Sequence, residues 1–304
     1  MDSAIQTINL TKTYGKNRGI QDVNLDIRKG EVFGFLGPNG AGKSTALRTL
    51  LGLMKPTSGQ CLIMGIDPHV DPVGAMQNVG SLPTEFSLED RSTGRSLVHY
   101  FSALRGGVDT SFADEIAERI TAELDRPVRK LSRGNKQKIG IVLSMFHRPP
   151  VIVLDEPTGG LDPLVQDQFL DILSEAKDNG QTVLFSSHVL SEVERIADRV
   201  GIIRNGEMIA TEDPHVLTSK SIRKVRIRFP QGTDSSIVQA VSNLEGVEKP
   251  AWFEPLLTFD YSGTPNSLVR TLANHDVEMI DIERPSLEEI FLGYYGNDRN
   301  GGVS

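Results

Sequence analysis

The chain has 304 residues, more than one ordinary domain, and its 38% hydrophobic and 24% charged content is that of a globular protein with two domains. No run approaches the length of apolar residues that spans a bilayer, and Met1 to Gln6 lacks the basic start and apolar core of a secretion signal. A net charge of −8 and a pI near 5.3 argue against a broad nucleic-acid surface, and the single cysteine, Cys61, excludes an intrachain disulfide and fits a reducing cytosol.

Ile5 to Leu10 and Ile20 to Ile27 alternate apolar and polar positions around a polar, glycine-containing turn, which predicts an antiparallel pair. Tyr14 lies just after the first of these strands, where an aromatic ring either stacks on a base or packs. Val32 to Leu36 is an apolar run that predicts a buried strand. It feeds Gly37-Pro38-Asn39-Gly40-Ala41-Gly42-Lys43-Ser44-Thr45, which fits the phosphate-binding pattern G-x-x-x-x-G-K-[ST]. Leu47, Leu50, Leu51 and Met54 then fall on one helical face, ending near Gly52. Glycines free the backbone N–H groups to approach phosphate oxygens, and the helix N-terminus adds its positive dipole end. Lys43 suits the β- and γ-phosphates, and the Ser44 hydroxyl suits Mg²⁺.

Gln60 to Met64 and Val79 to Leu82 are short apolar strands. Residues 84–130 lose strand character, with helices predicted over Gly94 to Leu104 and Phe112 to Leu124, a helical insertion in an α/β sheet. Ser132 precedes a helix with Ile139, Val142, Leu143 and Phe146 on one face. Read locally, Ser132 and Gly134 are either simple capping residues or a second anion site. Val151 to Leu154 predicts a strand buried on both faces of a parallel sheet, with Asp155 and Glu156 at its C-terminal end, the usual ligand position of an open α/β sheet. Beside the phosphate loop, Asp155 suits a Mg²⁺ ligand shared with Ser44, and Glu156 suits a group that polarises water.

Asp162-Pro163 opens a helix that buries Phe169, Ile172, Leu173 and Ala176. Thr182 to Ser186 is another buried strand. His188 sits just past it, in reach of the same phosphate as Asp155 if the strand ends converge, while the other five histidines read as ordinary solvated or core residues. Val200 to Ile203 and Glu207 to Ala210 flank Asn205-Gly206, a two-residue hairpin turn, and this first domain closes near Thr218. Beyond Ser219 the pattern restarts as a small α+β unit of order βαββαβα. Its elements are a strand around Val225 to Phe229, a helix over 234–243, a short strand near Val247, a strand around Leu257 to Tyr261, a helix capped by Thr264-Pro265, a strand over Val277 to Ile282, and a last helix opened by the capping box Ser286-Leu287-Glu288-Glu289.

Together these motifs resemble the nucleotide-binding subunit of an ATP-binding cassette (ABC) transporter over about residues 1–218. Tyr14 is similar to the adenine-stacking aromatic, Gly37 to Thr45 to Walker A, Leu131-Ser132-Arg133-Gly134-Asn135 to the signature LSGGQ, and Val151 to Glu156 to Walker B with its catalytic glutamate. Gly160-Leu161-Asp162 resembles the D-loop, and His188 the switch histidine. Arg133 and Asn135 depart from the signature, and Thr84 stands where the Q-loop has glutamine, with Glu85 beside it as an alternative contact to metal.

The resemblance implies an α/β P-loop fold with a mixed-sheet core, an antiparallel β subdomain and a helical subdomain over about 84–146, followed by an accessory α+β domain over 219–304. It implies ATP and Mg²⁺ as cofactors and catalytic roles for Glu156, His188 and Lys43. Phosphate and nucleotide contacts would come from Tyr14, the Walker A residues, Ser132, Gly134 and Asp162. A second ATPase subunit is implied too, most simply the same chain, in a head-to-tail homodimer in which Ser132 and Gly134 of one copy meet the ATP of the other. The partner is a separate polytopic permease docked on the helical insertion, and the location is the cytoplasmic face of the plasma membrane. The C-terminal unit and the variant Leu131 to Lys138 look like the daunorubicin and tetronasin type of actinobacterial antibiotic and multidrug exporters. Export of a lipid or cell-envelope glycan is the alternative, and a soluble non-transport ABC ATPase is a more distant one.

Overall fold

The computed structural model describes residues 3–15, 17–214, 223–233, 235–273 and 275–283. The chain divides into two units, Met1–Asp213 and Pro214–Ser304. The predicted boundary near Thr218 and the capping box at Ser286 to Glu289 lie outside the described residues.

In the first unit the two long alternating segments pair as expected. Strands β1 (Ser3–Tyr14) and β2 (Asn17–Arg28) are antiparallel and join β4 (Ser58–Ile63) in a three-stranded sheet of order β2-β1-β4. β1 runs four residues beyond the prediction, because polar Thr11 to Tyr14 still find backbone partners across the hairpin and on β4. Tyr14 therefore ends the strand rather than following it.

The four-residue and five-residue apolar runs form the centre of a second sheet. β3 (Val32–Leu36), β5 (Val79–Leu82), β6 (Val151–Asp155), β7 (Thr182–Ser187) and β8 (Arg199–Arg204) are parallel neighbours, and β9 (Glu207–Glu212) adds an antiparallel edge. The order is β5-β6-β7-β3-β8-β9. Every residue of β3, β6 and β7 is buried, which is why these strands read as continuous apolar runs and not as alternations. The β8–β9 turn has Asn205 at φ 50° and Gly206 at φ 83°, the two positive angles that a type I′ hairpin requires. Helix α1 (Lys43–Leu50) lies against both sheets. Its buried Ala46, Leu47 and Leu50 join Phe33, Phe35, Ile5, Leu25 and Val153 in one core.

Among the described residues from 84 to 146 there is no strand. α3 (Gly94–Leu104) falls where the periodicity placed it, opened by a Thr93–Ser96 capping box, and α4 (Ser111–Arg119) stops five residues short of the predicted Leu124. α5 (Arg133–Met145) begins at the Ser132 cap and buries Ile139, Val142 and Met145, with Phe146 buried just past its end and Leu143 only half-buried. Two short helices were not legible: α2 (Pro72–Gln77), capped by Asp71, and α7 (Leu190–Ile196), which has no capping side chain. α6 (Pro163–Asp178) buries Phe169, Ile172, Leu173 and Ala176 as predicted.

The second unit follows the βαββαβ order over its described residues. β10 (Arg223–Arg228), α8 (Ser235–Ser242), β11 (Val247–Phe253), β12 (Leu256–Tyr261), α9 (Pro265–Leu272) and β13 (Met279–Glu283) build an antiparallel sheet of order β11-β12-β10-β13, the ferredoxin-like arrangement. β11 is longer than predicted and holds Pro250, which an edge strand tolerates. Thr264 occupies the helix N-cap position without bonding the backbone there. Its hydroxyl pairs with Ser267 Oγ at 2.9 Å instead.

Candidate functional site

The sheet order decides the site. β3, β7 and β6 are adjacent, so the loops leaving their C-terminal ends converge: Gly37 to Gly42 after β3, His188 after β7, and Glu156 after β6. The phosphate loop depends on backbone freedom at Gly42, which has φ 110° and caps α1. A Cβ there would meet Gly19 O at 2.9 Å and strain the loop.

A cleft of about 260 Å³ opens over this loop, lined by Tyr14, Gly19, Pro38, Asn39, Gly40, Gly42, Lys43, Ser44, Thr45, Thr84 and Glu156. Gly37 and Ala41 are buried beneath it. The Lys43 ammonium, only 5% exposed, donates to Gly37 O at 2.5 Å and lies 3.1 Å from Glu156 Oε1. Glu156 Oε2 is 2.6 Å from His188 Nδ1. One carboxylate thus bridges the Walker A lysine and the histidine, from a backbone held at φ 51°, a strained conformation for a glutamate. Tyr14 stands at the cleft wall with 44% of its surface exposed, its hydroxyl 3.0 Å from Met54 Sδ.

Asp155 is buried. Oδ1 accepts from Ser186 Oγ at 2.7 Å, and Oδ2 is buried with no hydrogen-bond partner. An open carboxylate oxygen close to a phosphate loop fits a Mg²⁺ ion, which takes few protein ligands and keeps the rest of its shell from phosphate and water. The described residues hold no cluster of three or more His, Cys, Asp or Glu side chains placed to hold a metal.

Other sequence candidates lie outside this cleft. Ser132 accepts from Asn135 N at 3.2 Å as the α5 cap, and a Cβ on Gly134 would meet Gly160 O at 2.8 Å. Asp162 Oδ1 accepts from Val165 N at 3.1 Å and caps α6. Thr84 and Glu85 both line a neighbouring groove with Arg133, Lys136 and Gln137, and Thr84 also lines the phosphate cleft, donating to Asp155 O at 3.4 Å.

Sequence reading missed three polar residues. Ser186, fully buried, holds Asp155 and also accepts from Glu156 N at 3.0 Å. Ser187, equally buried, bonds Glu192 Oε2 at 2.8 Å. Gln137 donates to Pro157 O at 2.9 Å and ties the signature helix to the Walker B loop. A legible signal existed for the serines: two hydroxyls end an otherwise apolar strand.

A phosphate loop after the central strand, an acidic pair after its second neighbour and a lysine–glutamate–histidine chain between them define a P-loop nucleoside-triphosphate hydrolase domain. The model of the ABC transporter family matches residues 20–159. The linearmycin resistance ATP-binding protein LnrL of Bacillus subtilis (strain 168) is 30% identical, over 96% of this chain and 98% of its own. The bacitracin transport ATP-binding protein BcrA of Bacillus licheniformis is 37% identical over 69% of each. Among solved structures, the dimeric post-hydrolysis state of the ATP-binding cassette MJ0796 bound to ADP and Pi is 25% identical, with a TM-score of 0.63 over 69% of this chain and 98% of that one. The chain belongs to the ABC transporter family as an ATP-binding, ATP-hydrolysing subunit.

Proposed function

We propose that the chain powers the export of drugs or antibiotics by hydrolysing ATP against a separate membrane permease. The Glu156 carboxylate, held between Lys43 and His188 at the mouth of the phosphate loop, carries this reading. ATP would lie with its base on Tyr14 and its phosphates over the Gly37 to Thr45 loop. Ser44 and Asp155 would hold Mg²⁺, which when bound neutralises charge developing on the phosphoryl oxygens. Lys43 adds to that neutralisation. Glu156 orients the attacking water and takes its proton, and His188 holds Glu156 and meets the γ-phosphate.

Ser132 and Gly134 sit at an exposed helix start outside the cleft, which supports a head-to-tail homodimer in which they close on the ATP of a second copy. No helix among the described residues is long and apolar enough to cross a membrane, and this reading gives the cargo path to a separate permease. Exposed Val73, Phe101 and Leu104 line one groove of about 840 Å³ beside the helical insertion, and this is the surface we assign to a permease at the cytoplasmic face of the plasma membrane. The relatives named for linearmycin resistance and bacitracin transport support an antibiotic cargo. The daunorubicin and tetronasin type remains our assignment within that class, and the second unit is assigned a role in dimer contact or regulation.

The test is ATP hydrolysis by the full chain with its co-purified membrane partner, wild type against Glu156→Gln. The variant is expected to lose about 100-fold or more in kcat while retaining ATP binding and trapping a dimer. Wild-type turnover in Glu156→Gln would remove Glu156 from the mechanism.

A further inference from the structure

Behind His188 lies a second carboxylate that the mechanism above does not use. Glu192, on the first turn of α7, is only 5% exposed. Its Oε2 accepts from Ser187 Oγ at 2.8 Å, and the same Ser187 oxygen accepts from Val189 N at 2.9 Å. The Ser187 hydroxyl has one proton. With that proton directed to Glu192, its lone pairs face the Val189 N–H and close a tight turn around His188. Thr158, also buried, faces the same carboxyl from the segment that continues Glu156 toward Asp162. A single side chain therefore meets a hydroxyl side chain on each of the two segments that carry the His188–Glu156 pair.

Packing alone does not account for it. Glu192 Oε1 is buried with no hydrogen-bond partner, a costly arrangement that a leucine of similar size would avoid. Burial pushes the carboxyl above its usual range, the Ser187 and Thr158 hydroxyls pull it down, Glu156 raises it again and His188 lowers it.

We propose that Glu192 is a positioning residue for ATP hydrolysis, fixing Ser187 and through it the turn that presents His188 to Glu156. The proposal rests on the ATPase reading above and on His188 acting through Glu156.

Steady-state ATP hydrolysis by the full chain with its membrane partner tests it, using E192L, E192Q, S187A and H188A. E192L is expected to lower kcat about tenfold while KM for ATP stays within about twofold, because the loss falls on a group that orients the reacting residues and not on nucleotide binding. S187A should lose a similar factor. E192Q keeps an acceptor oxygen for Ser187 and should stay within about threefold of wild type. In an H188A background, E192L should cost nothing more, since residues that act as a unit are not additive. Thermal unfolding midpoints recorded alongside separate a misfolded variant from a misaligned one, and S187A serves if E192L does not fold. A wild-type kcat in E192L, or a further loss on adding E192L to H188A, overturns the proposal and leaves the ATPase reading intact. A wild-type rate in H188A overturns the role given to His188 and this proposal with it.

Discussion

At the scale of single residues, the site is a small set of polar side chains kept in place by buried neighbours. Lys43 and Glu156 form an ion pair at 5% and 16% exposure, and Ser186 fixes both the carboxylate of Asp155 and the backbone of Glu156. Such a pair depends on both partners, because removing one leaves the other charged and partly desolvated. Tyr14 is the aromatic residue of the cleft wall, half-exposed, with the Lys12 ammonium 5.6 Å from its ring centroid. Base–aromatic stacking is worth about 1–3 kcal/mol on alanine substitution, and a half-exposed ring belongs at the low end of that range. Tyr14→Ala should therefore weaken ATP binding about fivefold by calorimetric titration, and Tyr14→Phe should restore it. An unchanged affinity in Tyr14→Ala would move the base elsewhere.

The elements set where these residues meet. α6 begins at Asp162 and Pro163, with the carboxylate accepting Val165 N and the proline at the first helical position. In the chain itself Asp162 is a helix cap, and Asp162→Ala should cost about 1 kcal/mol, or about 2–4 °C in the melting midpoint of a unit this size. If scanning calorimetry finds no shift, capping does not explain Asp162. α5 has a different task. It starts at Ser132 and, through Gln137, is hydrogen-bonded to the loop after Glu156. Gly80 shows how close that helix comes, since a Cβ there would lie 1.7 Å from Ser144 O.

At the scale of the whole molecule, pH and ligand should act on different parts. His147 sits just past α5, half-buried, with Nε2 3.4 Å from Val79 O. Burial, with Arg105 nearby, lowers its pKa to about 4. The unfolded histidine titrates near 6.5, so between the two values the unfolded chain binds more protons. Stability should thus be full above about pH 6.5 and fall as pH drops toward 4, by at most about 1.4 kcal/mol per unit. His147→Asn should flatten this slope in denaturant titrations at pH 7 and pH 5. An equal slope in the variant would place the acid sensitivity on other groups.

Trp252, the sole tryptophan, lies in the second unit with its ring 6.0 Å from that of Phe229. Its fluorescence reports that unit alone. ATP at 100 times its Kd should stabilise the first unit by about 2.7 kcal/mol and raise its circular-dichroism midpoint, while the Trp252 transition stays where it was. A joint shift would mean that the two units unfold together. Deleting residues 219–304 should leave the cleft able to bind ATP, since every residue lining it belongs to the first unit, and should weaken dimer formation or alter turnover. Unchanged behaviour on both of those counts would leave the second unit without the role given to it.

Local patterns in the sequence determined the buried strands, the phosphate loop, the acidic pair, the Asn205-Gly206 hairpin and the caps at Ser132 and Asp162. Apolar runs, glycine spacing and capping residues act over a few positions, and their physics is complete within that reach. Strand order, by contrast, is a matter of long-range pairing. Only the tertiary structure places β7 between β6 and β3, and that placement brings His188 to 2.6 Å from Glu156 and Lys43 to 3.1 Å from it. It alone brings Thr84 and not Glu85 to the wall of the phosphate cleft, ends β1 at Tyr14 and buries Ser186, Ser187 and Glu192 behind the site. The two serines show in the sequence only as hydroxyls ending an apolar strand and Glu192 not at all, because what they do comes from partners 5 to 31 positions away that folding makes adjacent.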